Sequence, residues 1–189
     1  MNGIQVEKKL GTTIVRVFSG DIQVGKTYEN ESAWIIEGLK KCAETAEKEK
    51  IYLAIENHDL LAGKSKQVSE IIKAVNSPFV KSTFDTGNFL LVHENPIAAF
   101  EQLKNEIVHV HFKDFREKVE NESHRGFRST EGVELIGVIL GDGEVYLATI
   151  VNELKNSKYD GWLSIEYEGH DDAKMANEEA VNRLRNLLK

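Results

Sequence analysis

The sequence predicts an α/β fold built on a parallel β-sheet, and three observations predict it. Five short apolar or β-branched runs alternate with five longer segments whose apolar residues recur at helical spacing, the order produced by strands joined through right-handed helical crossovers. No low-complexity stretch or linker interrupts the chain, so residues 1–189 read as a single domain. Each of the four later strands stops on a residue able to ligate a metal ion.

The first strand is TTIVRVF (12–18), short and β-branched. ESAWIIEGLKKCAETAEKEK (31–50) spaces Ile35, Leu39, Cys42 and Ala46 as a helix does, with Asn30 or Ser32 as its cap. IYLAIE (51–56) is a strand and SKQVSEIIKAVN (65–76) a helix. FVKSTFD (79–85) is a strand, and NPIAAFEQLKN (95–105) is a helix with Pro96 in its first turn. The fourth strand is IVHVHF (107–112), the next helix GEVYLATIVNELKNS (143–157), the last strand GWLSIEYE (161–168) and the closing helix DAKMANEEAVNRLRNLLK (172–189). Residues 114–142 make a connection far longer than is ordinary in such folds. It reads either as a plain surface excursion or as a lid over a site at the strand ends.

Composition removes several function classes. With 41% apolar and 29% charged residues, the chain can bury one sizeable core. No apolar run approaches the ~20 residues of a membrane span, and MNGIQVEKKLG lacks the apolar centre of a signal peptide. The lone cysteine, Cys42, excludes an intramolecular disulfide and suits a reducing cytoplasm. A net charge of −7 weighs against a broad nucleic-acid surface.

The strand ends carry the chemistry. IYLAI runs into Glu56, VKSTF into Asp85, IVHV into His111 and GWLSI into Glu166. Acidic residues and histidine make up roughly one residue in five, so four independent strand-exit residues are the plain alternative. In a (β/α) barrel, however, side chains at the carboxyl ends of strands converge on the active site. Three carboxylates and one imidazole form a hard, oxygen-rich set that favours Mn²⁺, Mg²⁺ or Co²⁺ and admits Zn²⁺. A closed structural zinc site would use cysteines. Carboxylates buried together without a cation would repel and take up protons. The two-residue period of a strand puts His109, His111 and Lys113 on one face.

LAIENH, FDTGN, VHVHFKD and GWLSIEYEG, in that order, resemble successive strand ends of the xylose isomerase-like TIM-barrel superfamily. This group holds sugar phosphate isomerases and epimerases and an AP endonuclease branch. LGTTIVRVFSG resembles its fourth strand, and LGDGEVYLATIVNELKNSKYDGWLSIE the lead into its eighth. The resemblance implies a partial (β/α) TIM barrel of about five parallel strands, matching strands four to eight of the eight-stranded fold. MNGIQVEKKLG then reads as the tail of the preceding helix, and the first three βα units are absent. Open edges of that kind invite association with another copy or a complementing chain.

The resemblance also implies one divalent ion on Glu56, Asp85, His111 and Glu166, with Glu56 and Glu166 doubling as acid and base. The implied substrate is a sugar or sugar phosphate. The ion polarises a carbonyl, one carboxylate takes the neighbouring proton, an enediolate forms, and the proton returns to another carbon or face. That is isomerase or epimerase chemistry. The related expectations are a dehydratase of inositol-derived ketones or dehydroshikimate, and a fragment without turnover. The endonuclease reading needs more histidines; Asn88 stands where histidine is common, and residues 114–142 hold no Asp-x-His pair. His58, Asn88, His109 and Lys113 are candidate substrate-binding residues, each with a plain alternative as loop, core or solvated side chain. Arg125 and Arg128 are candidates for a phosphate. His93, His124 and His170 read as surface residues, and Trp34 and Trp162 as packing residues.

Overall fold

A nine-residue helix, α1 (Asn2–Leu10), precedes the first strand, in line with the expected helix tail. The computed structural model describes residues 2–23 and 25–189, so Met1 of that tail lies outside the described residues. The chain forms two compact units: residues 1–84 with 105–109, and residues 85–104 with 110–189.

In the first unit follow β1 (Ile14–Val17), α2 (Tyr28–Glu49), β2 (Tyr52–Glu56), α3 (Ser65–Val75) and most of β3 (Val80–Asp85). β1 runs parallel to β2 with Ile14 opposite Tyr52, and β2 runs parallel to β3 with Glu56 opposite Thr83. Leu53, Ala54, Ile55 and Glu56 are all buried, as expected of a parallel strand covered on both faces. α3 buries Val68, Ile71, Ile72 and Val75, one stripe of a helix. α2 starts earlier than expected. Thr27, not Asn30 or Ser32, is its cap, and the Asn30 side chain reaches back to accept from the Thr27 N–H at 3.2 Å.

The second unit holds α4 (Asn88–Leu91), α5 (Pro96–Leu103), the latter half of β4 (Ile107–Phe112), β5 (Phe115–Glu117), β6 (Phe127–Arg128), β7 (Glu134–Gly137), α6 (Leu147–Asn156), β8 (Leu163–Ile165) and α7 (Ala173–Leu188). Asn95 caps α5 by accepting from the Ile97 and Ala98 N–H groups, with Pro96 inside the first turn. β4 pairs in parallel with β8, placing His111 opposite Ser164. The strands are ordered β1-β2-β3-β4-β8, five parallel strands of α/β type. Within the long connection, β5, β7 and β6 form an antiparallel sheet of their own, so it is not a plain loop.

Two further expectations need correcting. The last strand ends at Ile165, so Glu166 lies just beyond it. Trp34 and Trp162 are 63% and 77% exposed and do not pack. Nine residues at 100° each put Trp34 on the opposite side of α2 from buried Ala43, and Trp162 precedes a strand that closes one side of the sheet. Among the described residues no helix is long and apolar enough to cross a membrane.

Candidate metal centre

In the second unit, the turn after β3 fixes a carboxylate. The N–H groups of Gly87 and Asn88 both donate to Asp85 Oδ1 at 2.9 Å. That holds Oδ2 toward His111 Nδ1 at 3.9 Å and Lys113 Nζ at 3.5 Å. The turn is clamped to β4: the Thr86 hydroxyl donates to the Lys113 carbonyl at 2.7 Å, and the Lys113 N–H donates back at 3.1 Å. A Cβ on Gly87 would lie 2.9 Å from the same carbonyl, so this approach needs glycine.

β8 delivers the opposite side. The Glu166 N–H donates to the Phe112 carbonyl at 3.0 Å, extending the ladder one residue past the strand. Glu166 Oε1 then lies 3.2 Å from His111 Nδ1. Asp85, His111 and Glu166 each offer a ligand atom within 4.8 Å of the others. Donor atoms sharing one ion at about 2.1 Å lie roughly 3–4 Å apart, and His111 Nδ1 stands at 3.9 and 3.2 Å from the two carboxylates, so these residues could hold a divalent cation.

Lys113 is the cluster's cation. It is 3% exposed, which decides for the pocket against a solvated lysine. Its Nζ lies 3.1 Å from Glu166 Oε2, 3.3 Å from Glu168 Oε2 and 3.5 Å from Asn88 Oδ1. Burial opposes its charge, but Asp85, Glu168 and Glu166 outweigh that and hold the ammonium well above the usual lysine range. Asn88, whose amide faces Lys113, is buried beside it.

In the first unit, Glu56 ends β2 fully buried and accepts from Arg16 Nη1 at 3.0 Å. The Arg16 guanidinium sits 4.7 Å over the Phe18 ring. Phe18 meets the His58 ring edge-on at 4.9 Å, and His58 Nδ1 lies 2.6 Å from Asp59 Oδ2. His109 is half-buried in β4. His93, bonded to Ser129 Oγ at 2.8 Å, and the stacked pair His124 and His170 are exposed, as are Arg125 and Arg128.

Sequence reasoning missed Arg16 and Asp114. Arg16 carried a signal, a lone charge inside the apolar run IVRV. Asp114 did too: it ends the HFKD run, and the glycine-rich LGDGEV that follows supplies its backbone donors at Gly141, Gly143 and Val145.

The sequence profile of the xylose isomerase-like TIM barrel matches residues 2–187. The chain belongs to the xylose isomerase-like TIM barrel family. Within that family it is 31% identical, over 161 residues, to the inosose dehydratase of Clostridium beijerinckii, covering 81% of this chain and 52% of the relative. The chain thus spans about half the length of the curated relatives it matches. Solved xylose isomerase-like folds superpose closely. The xylose isomerase domain protein of Planctomyces limnophilus matches with a TM-score of 0.77 at 20% identity, over 97% of this chain and 61% of that one. A family protein from Mycobacterium smegmatis, solved in complex with magnesium, gives 0.76 at 18% identity, over 98% and 64%.

Proposed function

We propose that this chain carries the metal-dependent part of an enzyme that removes a proton beside a carbonyl of a small polyhydroxylated substrate and then eliminates water. The observation that carries the reading is the convergence of buried Asp85 and His111 with Glu166 around the Lys113 ammonium. These three residues are the proposed holders of a divalent ion, Mn²⁺, Mg²⁺ or Co²⁺ ahead of Zn²⁺. Glu56 is the proposed fourth ligand on the family resemblance alone, and E56Q tests it by its own effect on ion binding. Bound there, the ion supplies Lewis acidity toward a carbonyl oxygen.

The chain's own residues do the rest. Glu166 is the proposed proton acceptor, and Lys113 the proposed group that neutralises negative charge developing on the substrate. Asn88 and Lys113, with His58 and His109, are the proposed contacts to substrate oxygens. In the elimination, the proton leaves the carbon next to the carbonyl, and the hydroxyl on the following carbon departs as water with a proton from an acidic side chain. Curated relatives named inosose dehydratase support elimination from an inositol-derived ketone. Isomerisation or epimerisation of a sugar shares the first step and differs in returning the proton to carbon. A reducing cytoplasm is the proposed location.

The test is incubation with Mn²⁺ and a keto-inositol in deuterated water. The reading expects a growing conjugated-ketone absorbance, lost in E166Q. An epimer carrying solvent deuterium beside the carbonyl, without water loss, would replace elimination by isomerisation; the absence of both absorbance and deuterium uptake would overturn the proposed function.

A further inference from the structure

Lys113 is buried among three carboxylates, those of Asp85, Glu166 and Glu168, all within 3.5 Å of its ammonium. Only two of these acids belong to the ion-holding set. One ammonium leaves the trio two negative charges in excess, which one divalent ion neutralises; Glu56, the proposed fourth ligand, has Arg16 as its own counter-charge. The cluster is therefore balanced when it holds Lys113 and the ion together. The two cations cannot share the same partners at close range, because like charges in a buried site repel strongly. Glu168 offers the way out. Its side chain is 39% exposed, against none for Asp85, and it lies 3.3 Å from Nζ. A lysine on its four-carbon stem can swing toward it while the Thr86 clamp holds the Lys113 backbone still.

We propose that Lys113 is an internal counter-ion that holds the ligand carboxylates together before the ion arrives, and that Glu168 takes the ammonium over when it does. This rests on the metal reading above. Lys113 and Glu168 act here as positioning residues: one preorganises the ligands by competing for them, the other relieves that competition.

Two readings test it: Mn²⁺ affinity by titration calorimetry, and the melting temperature in EDTA. They are made on wild type, K113M, K113Q, E168Q and K113M/E168Q. Removing a competing charge predicts Mn²⁺ binding tighter by about tenfold in K113M and K113Q, with a lower melting temperature in EDTA. E168Q binds Mn²⁺ about fivefold more weakly, and in the K113M background that loss disappears, since Glu168 acts through Lys113. Unchanged or weaker binding in both Lys113 variants, or a full E168Q loss in the double variant, would overturn the inference. A wild-type chain that takes up no Mn²⁺ overturns the metal reading itself, and this inference with it.

Discussion

Asp114 fixes the end of β4 with a single buried carboxylate. It is 2% exposed and accepts from the N–H groups of Gly141, Gly143 and Val145 at 2.9–3.0 Å. Burial pushes its carboxyl above the ordinary range, against the downward pull of those donors. The arrangement leaves no room at Gly143, where a Cβ would fall 2.2 Å from Asp114 Oδ1 and 2.4 Å from the Phe115 carbonyl. G143A is expected to destabilise by about 1–3 kcal/mol, seen as a lower denaturant midpoint at unchanged slope; an unaltered midpoint would contradict this. At this scale the sequence was informative about faces and silent about depth. The alternation in IVHVHFK put His111 and Lys113 on one side of β4, but periodicity cannot say whether a lysine at a strand end is wet or enclosed. Three acids supplied by distant stretches, Asp85, Glu166 and Glu168, decide that.

Among elements, the long parallel-sheet segments were legible and the β5–β7–β6 sheet was not. Strands of two to four residues carry too little alternation to register as a pattern. Their pairing is fixed instead by glycine approaches and ion pairs that appear only once the chain has folded. Gly126 would meet the Leu135 carbonyl with any Cβ. Arg116 donates from Nη1 and Nη2 to both Glu122 oxygens at 2.9 Å, a bidentate pair. The hydrogen bonds from Arg116 lower the Glu122 pKa from 4.5 to about 2. A carboxylate depressed on folding contributes stability that is complete above its unfolded pKa and lost as the pH falls through its folded one. Hydrogen-exchange protection factors in residues 115–128, taken relative to intrinsic rates at each pH, are therefore expected to fall as pH drops from 4.5 to about 2, more than in E122Q. An equal fall in E122Q would remove the pair from that role.

For the whole molecule, strand order and family were readable because each of five motifs is short, ordered and tied to a strand end. Glu56, Asp85 and His111 do terminate or nearly terminate their strands. Glu166 sits one residue beyond the end of β8. The tryptophans misled because size and apolarity do not fix which side of an element faces water. β1 and β8 stand at the two ends of the strand order, the positions at which a sheet can take a further strand. The account depends on Asp85, His111 and Glu166 gripping one divalent ion. The most direct measurement is electron paramagnetic resonance of Mn²⁺ titrated into the wild-type chain and into D85N. The account predicts one tightly bound Mn²⁺ per wild-type chain and at least about tenfold weaker binding in D85N; a wild-type chain that leaves Mn²⁺ free, or a D85N chain that binds it equally well, would contradict it.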